Sequence, residues 1–196
     1  MHHTMKIMAM AVAMISLTAY AEDTSHSVVI CVPDQCMVVL DNGVPIARYP
    51  VSTSRYGLGD NYGRYTTPLG NLEVAQKIGD NAPLGAVFKG RRWTGEVLHP
   101  NAAGRDPIVT RILWLRGLDF CNRNAYERAI YIHGTPVESL IGRPASYGCI
   151  RMRSRDIVKL YDVIGVGARI SILNVPVHRV MRELAVEREQ PRLAAL

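Results

Sequence analysis

The chain has few cysteines, few aromatic residues and, beyond its N-terminus, no long hydrophobic run. Its four cysteines form no Cys-x-x-Cys pair and are not accompanied by a His-rich cluster, so the sequence gives no sign of a structural zinc site. No basic stripe is interleaved with aromatic residues, which argues against nucleic acid as a partner. Apart from the N-terminal run, no stretch is apolar enough over a sufficient length to predict a transmembrane helix.

The N-terminus has the three zones of a secretory signal peptide. Lys6 precedes an apolar run over residues 7–17, and Ala19 and Ala21 supply small residues around a cleavage site after Ala21. The run is too short for a permanent membrane anchor. A buried N-terminal helix is disfavoured because the run has no polar face. We therefore predict that residues 1–21 are removed and that the protein is exported, to the periplasm in a bacterium.

The remaining chain suits one domain with a real core, which we place at residues 22–175. Residues 176–196 predict a charged helical tail that carries no chemistry. The formal charge is +6, or +5 without Lys6. A charge of this size favours solubility, with attraction to an anionic wall polymer as a weaker interpretation.

Strand patterns dominate the predicted domain. Residues 41–43, Asp-Asn-Gly, are typical of a tight hairpin turn because Asn and Gly tolerate positive φ angles. Ser154 is the expected N-cap of a helix whose apolar face is Ile157, Leu160, Tyr161 and Ile164. Residues 91–107, broken by Gly and Pro, predict an irregular segment. The strands are expected at residues 27–32, 36–40, 44–51, 72–76, 86–89, 109–115, 128–133 and 168–173.

Cys31 and Cys36 flank a short turn-like segment, residues 32–35. Two strands leaving such a loop can place these cysteines opposite each other, within bridging distance. An exported compartment permits disulfides. We therefore favour a Cys31–Cys36 bridge as a hypothesis, with two free, half-buried thiols as the alternative.

One cysteine and one histidine have the pattern of a catalytic pair. Cys149 lies in a Gly-flanked turn, and His133 lies sixteen residues before it, at the end of a predicted strand. Ile130 and Ile132 alternate with His133, which predicts that the isoleucines enter the core while the imidazole faces a cleft. A thiol becomes a good nucleophile when a nearby imidazole takes its proton. The sequence thus predicts a cysteine enzyme.

The segments IYIHGT, residues 130–135, and IGRPASYGCIRM, residues 141–152, resemble the signature of the YkuD-type L,D-transpeptidase catalytic domain. The upstream segments PVSTS, residues 50–54, and TTPLG, residues 66–70, are similar to early strands of that family. The resemblance spans roughly residues 27 to 173. One departure is clear, since the family usually has histidine at the position of Tyr147. That difference bears on substrate contacts more than on the chemistry.

The resemblance implies a mostly β domain, a YkuD-like sandwich or barrel of mixed strands with one or two short helices. It implies an enzyme that acts on peptidoglycan stem peptides without a metal or an organic cofactor. The cysteine would attack the third residue of a tetrapeptide donor and expel D-alanine. The acyl group would then pass to an amine acceptor, giving a 3→3 cross-link or an attached protein or D-amino acid.

Carried over residue by residue, the resemblance makes Cys149 the nucleophile and His133 the base. The backbone carbonyl of Gly134 would orient the imidazole. The backbone N–H groups of Tyr147, Gly148 and Cys149 are the candidate oxyanion donors. Arg151 is a candidate clamp for a substrate carboxylate, with an ion-pair role as the alternative. Ser146 is a candidate substrate contact, with a turn role as the alternative.

Other functions remain open at this point. Water in place of the amine would make the enzyme an L,D-carboxypeptidase or endopeptidase. A non-catalytic wall-binding module could keep the same fold. An unrelated secreted cysteine peptidase is disfavoured because no Gln-x-Gly-x-Cys segment occurs and His precedes Cys in the chain.

Overall fold

The computed structural model describes residues 21–193. The predicted signal peptide, residues 1–21, therefore lies outside the described residues except for Ala21. Among the residues described, no helix combines the length and apolar character needed to cross a lipid bilayer. The boundaries proposed for the domain and the tail stay predictions.

The described chain forms one mixed sheet of ten strands with two α-helices and two short 3₁₀ turns. The predicted mostly β class, with few helices and a helical C-terminus, is confirmed. In chain order the elements are β1 (His26–Cys31), β2 (Cys36–Asp41), β3 (Val44–Pro50), β4 (Gly70–Ile78), β5 (Ala86–Lys89), β6 (Arg92–Val97), β7 (Ile108–Gly117), β8 (Tyr131–Gly134), β9 (Ile150–Met152), α1 (Ser154–Val163), β10 (Arg169–Leu173) and α2 (Val177–Leu193).

The strands follow the order β3-β2-β1-β10-β4-β7-β5-β6, and β8 branches from β7 to pair with β9. Two pairs are parallel, β1 with β10 and β8 with β9, while the other pairs are antiparallel. The expectation of an irregular segment over residues 91–107 is wrong for Arg92–Val97. That strand is almost wholly exposed and pairs only with β5 at the sheet edge. Its sequence therefore lacks the alternation of apolar and polar residues that predicts a half-buried strand.

The main core lies between the sheet and α1. Ile157, Leu160, Tyr161 and Ile164 are all buried, so the predicted apolar face of the helix is confirmed. The expected N-cap was wrong by one residue. Arg153 occupies that position with extended backbone, and the carboxylate of Glu138 accepts the N–H of Ser154 at 2.8 Å. A carboxylate in that place satisfies one of the free N–H groups of the first turn.

A second apolar cluster lies between the β1–β2 hairpin and α2. Cys31 and Cys36 are ladder partners there, as the hairpin predicted. The bridge predicted between them is absent, because all four cysteines of the chain are free thiols in the structure. The sulfur of Cys36 instead accepts a hydrogen bond from Arg48 Nε at 2.8 Å. Burial raises the pKa of the Cys31 thiol to about 11, so this buried thiol stays protonated at neutral pH.

Candidate active site

His133 is held as a neutral base by its strand. It lies on β8 with 4% of its surface exposed, while Ile130 and Ile132 face the core. Its Nδ1–H donates to the carbonyl of Gly134 at 2.7 Å, which assigns the proton to Nδ1 and leaves Nε2 as a lone-pair acceptor. Burial lowers the pKa of His133 to about 4, and the charge of Arg151 lowers it further. The imidazole is therefore unprotonated at neutral pH.

A bulge in β7 shapes the place where the imidazole is anchored. The pairing of β7 with β8 shifts between Val109 and Ile112, opposite His133 and Gly134. At this point Thr110 is fully buried with a φ of 73°, a strained angle for a β-branched residue. A Cβ on Gly134 would lie 2.6 Å from the carbonyl oxygen of Val109. The position therefore has no room for a side chain.

Replacing Gly134 with Ala should both destabilise the protein and slow its chemistry. The added methyl group would push β8 away from Val109, at a cost of about 1–3 kcal/mol. The same shift would move the carbonyl that orients His133. We expect a lower thermal midpoint and at least about tenfold slower acylation of Cys149. Thermal denaturation, with acylation measured on folded protein at low temperature, separates the two effects. An unchanged rate in a destabilised variant would contradict an orienting role for this carbonyl.

The hydroxyl groups of Ser146 and Thr67 hold the turn before Cys149 through hydrogen bonds to its backbone. Ser146 Oγ donates to the carbonyl of Cys149 at 2.6 Å, and Thr67 Oγ1 donates to the carbonyl of Gly148 at 2.9 Å. Gly148 has a φ of 120°, an angle that favours glycine. Because Ser146 is completely buried, the candidate substrate contact is wrong and its turn role holds. Its Oγ also accepts the N–H of Gly148 at 3.2 Å, so that N–H is already engaged.

The thiol of Cys149 opens into a cavity of about 370 Å³. Its Sγ donates to the carbonyl of Ala129 at 3.4 Å. Burial raises the pKa of the thiol to about 11, while the backbone of Tyr131 and the charges of Arg151 and Arg128 pull it down. The cavity is lined by Tyr62, Gly63, Tyr65, Arg128, Ala129, Ile130, Tyr147 and Cys149.

His133 lies on β8, and Cys149 lies in the bend directly before β9, the parallel partner of that strand. His133 is the ladder partner of Arg151, so the same register sets Cys149 beside Tyr131, and Cys149 packs in the cluster that contains that ring. Cys149 itself lies two residues before Arg151, the ladder partner of His133. The resting thiol bonds to Ala129 rather than to the imidazole. The site thus contains a neutral thiol beside a neutral base, in contrast to a preformed ion pair.

Arg151 is not free to clamp a substrate. It is 6% exposed, and its guanidinium forms an ion pair with Asp106 at 2.5 Å. The other oxygen of Asp106 accepts the hydroxyl of Thr135 at 2.6 Å. The structure therefore favours the ion-pair alternative, with the Arg151 side chain 7% exposed and the Asp106 side chain 26% exposed. Sequence reasoning missed Asp106, since it lies in an irregular segment where no periodic pattern marks it.

No group of three or more His, Cys, Asp or Glu side chains within residues 21–193 is arranged to hold a metal ion.

Comparison with known proteins identifies a family for this chain. Residues 25–172 match the YkuD family, described as the L,D-transpeptidase catalytic domain. A Bacillus subtilis protein named "Putative L,D-transpeptidase YqjB" is 36% identical over 75 residues, which cover 38% of this chain and 42% of that protein. An Escherichia coli protein named "Probable L,D-transpeptidase ErfK/SrfK" is 46% identical over 50 residues, which cover 26% of this chain and 16% of that protein. The matches thus span less than half the length of these relatives.

Solved structures show the same fold at low sequence identity. An L,D-transpeptidase from Xylanimonas cellulosilytica aligns with 76% of this chain and 60% of its own, at a TM-score of 0.50 and 19% identity. A mutant of the Enterococcus faecium L,D-transpeptidase aligns with 76% of this chain and 50% of its own, at a TM-score of 0.50 and 14% identity.

Proposed function

The chain belongs to the YkuD family of L,D-transpeptidase catalytic domains, and we propose that it is an exported cysteine acyltransferase acting on peptidoglycan stem peptides. The donor is a tetrapeptide stem and the acceptor an amine. The observation that supports this most strongly is the setting of Cys149 and His133. A thiol lines a cavity two residues before the ladder partner of a buried imidazole whose proton is on Nδ1, which leaves Nε2 free to accept a proton. This is the arrangement that general-base activation of a thiol requires.

The first half of the reaction forms a thioester. When the donor enters the cavity, the thiol turns from Ala129 toward His133, and Nε2 takes its proton as sulfur attacks the carbonyl carbon of the third stem residue. Because Gly148 N–H is engaged by Ser146, we assign the oxyanion to the N–H groups of Tyr147 and Cys149. The C–N bond then breaks, and the imidazolium gives its proton to the departing amine of D-alanine.

The second half releases the enzyme. His133 takes a proton from the acceptor amine, the amine attacks the thioester carbonyl, and the C–S bond breaks. The proton returns to sulfur, so the thiol and the neutral imidazole are both restored. The hydrogen bond from Nδ1–H to Gly134 supports the imidazole in both halves, because it also stabilises the transient imidazolium.

A carbapenem tests the nucleophile directly, since ring opening leaves the drug attached to the attacking sulfur. The wild-type protein should gain one carbapenem mass, and Cys149→Ala should gain none. Cys121→Ala is the matched control, because Cys121 is an exposed thiol away from the cavity, and it should acylate like the wild type. Intact-protein mass spectrometry gives the answer. An adduct that persists in Cys149→Ala would contradict the assignment, and no adduct on the wild type would favour a non-catalytic wall-binding module.

The acceptor is decided by product analysis. Purified protein incubated with tetrapeptide muropeptides should give 3→3-linked dimers, separated by chromatography and identified by mass. Tripeptide monomers without dimers would replace the proposed amine acceptor with water and make the enzyme an L,D-carboxypeptidase.

A further inference from the structure

Tyr65 and Tyr147 line the Cys149 cavity, Tyr56 packs against both of them, and Arg55 packs against Tyr147. We call Tyr56, Tyr65 and Tyr147 the tyrosine rim. Their ring centroids lie 5.5–6.0 Å apart, and between 50% and 57% of each residue is exposed. Large aromatic side chains that are half-exposed beside a reactive group usually meet a ligand. Tyr147 is also the residue by which this chain departs from the resemblance noted in its sequence.

The backbone ties this rim to the turn of the nucleophile. Ser54 Oγ donates to the carbonyl of Tyr65 at 2.6 Å and accepts the N–H of Tyr56 at 2.9 Å. The N–H of Arg55 donates to the carbonyl of Ser146 at 3.2 Å, only three residues before Cys149. The rim and Arg55 are therefore held at a fixed place relative to the sulfur.

The guanidinium of Arg55 lies against two rings of the rim. Its central carbon is 4.6 Å from the centroid of Tyr147 and 5.6 Å from that of Tyr56. Stacking on the ring faces leaves the N–H groups at the edge of the guanidinium open for a planar acceptor. Among the described residues Arg55 forms no ion pair, and its side chain is exposed.

Two other arginines close to Cys149 have their charges matched within the fold. Arg151 is paired with Asp106. Arg128 lines the cavity, but it is buried and paired with Asp60 at 2.8 Å, and it also donates to the carbonyl of Thr66 at 2.6 Å. Turning either arginine to a ligand would break its ion pair, and for Arg128 it would leave the buried carboxylate of Asp60 unpaired, which is costly. Arg55, by contrast, has no ion-pair partner among the described residues and is held in place by the rings of Tyr56 and Tyr147.

We infer that Arg55, held by Tyr147 and Tyr56, binds the terminal carboxylate of the donor peptide. This rests on the proposed function, in which D-alanine is the leaving group. Its carboxylate lies one residue beyond the carbonyl that Cys149 attacks, and the backbone of Arg55 is hydrogen-bonded to Ser146 in the turn that leads to the sulfur. A bidentate guanidinium–carboxylate contact there would position the peptide and select donors that end at this residue.

Binding can be measured without turnover in the Cys149→Ala background. The probes are a tetrapeptide stem ending in D-alanine and the same peptide with a C-terminal amide, titrated by calorimetry. Arg55→Gln should weaken binding of the acid by about 10- to 100-fold, the usual loss for a charged hydrogen bond, and leave the amide unchanged. Tyr147→Ala should reduce the same preference, while Tyr147→Phe should keep it. Arg143→Gln, an exposed arginine in the preceding loop, is the matched control and should change neither.

Three outcomes would overturn the inference: equal weakening of acid and amide in Arg55→Gln, no weakening of the acid, or no preference for the acid before substitution. These outcomes are separate from failure of the proposed function, which is read from the carbapenem adduct and the muropeptide products of the protein with Cys149 intact. A protein that acylates normally but binds acid and amide alike keeps its enzyme assignment and loses this role for Arg55.

Discussion

Replacing His133 with Gln should slow acylation of Cys149 by about 10²–10⁴-fold, the usual contribution of a positioned general base. The effect is large because burial raises the pKa of the thiol to about 11, so little thiolate exists at neutral pH without the base. Glutamine fills much of the same space but cannot accept the thiol proton at a basic nitrogen. Stopped-flow loss of carbapenem absorbance gives the rate constant, and intact mass confirms the adduct.

His178→Gln is the matched control, because His178 is exposed on α2. It should acylate at the wild-type rate. In the wild type the rate should fall only as the pH approaches about 4, where burial places the pKa of His133. An acid limb centred near the ordinary histidine value of about 6.5 would contradict a neutral, desolvated base, and a wild-type rate in His133→Gln would remove the base from the mechanism.

The burial of His133 also predicts that the free energy of unfolding depends on pH. The folded pKa of His133 is lowered to about 4, so the unfolded chain binds the proton more readily between that value and its own pKa of about 6.5. The stabilising contribution of the neutral imidazole is complete above the unfolded pKa and is lost as the pH falls toward 4, on the order of 3 kcal/mol in all. His133→Gln should flatten this part of the stability curve, measured by urea unfolding at successive pH values.

The sequence predicted the elements whose side chains alternate or repeat. The Ile157–Ile164 stripe of α1 is a periodic pattern imposed by a buried face, and the continuous apolar run of β2 matches a strand that is buried on both faces. The edge strand Arg92–Val97 has no buried face, so no pattern marks it. Predictions of this kind depend on burial, and they fail where a strand is held by backbone pairing alone.

The candidate site was predictable in its reactive atoms but not in its supporting contacts. Cys149 and His133 stand out because a thiol and an imidazole carry recognisable chemistry. The ion pair of Arg151 with Asp106 joins residues 45 positions apart, and nothing local in either segment shows that they meet. Ser146 was ambiguous for a similar reason, since a hydroxyl serves a turn or a substrate equally well and only its complete burial decides.

Replacing Asp106 with Asn should destabilise the protein while making its thiol more reactive. Asparagine keeps the shape of the side chain and can still accept the hydroxyl of Thr135, so the substitution removes mainly the charge that neutralises Arg151. Leaving a buried guanidinium unpaired should cost about 2–3 kcal/mol, less than for a fully buried pair because the Asp106 side chain is 26% exposed. Chemical denaturation measures this loss.

The control is Glu96→Gln, which breaks the exposed pair with Arg105 at the start of the same segment. Exposed pairs contribute little to stability, so its unfolding midpoint should stay at the wild-type value. A comparable loss in both variants would show that the segment tolerates no change of charge, and it would contradict a particular role for the buried pair.

The second half of the Asp106→Asn prediction concerns the reactivity of the Cys149 thiol. Asp106 raises the pKa of His133, whereas Arg151 lowers the pKa of both His133 and Cys149. Without the carboxylate, the field of Arg151 is uncompensated, so both values should fall. At a fixed pH near 8 the thiolate fraction should rise, and iodoacetamide should alkylate Cys149 faster than in the wild type although the variant is less stable. Faster alkylation in a pre-folded sample, with Cys121 replaced by Ala to remove the exposed thiol, would tie the ion pair to the electrostatics of the nucleophile. A slower or unchanged rate would leave the pair a purely structural link between β9 and the segment before β7.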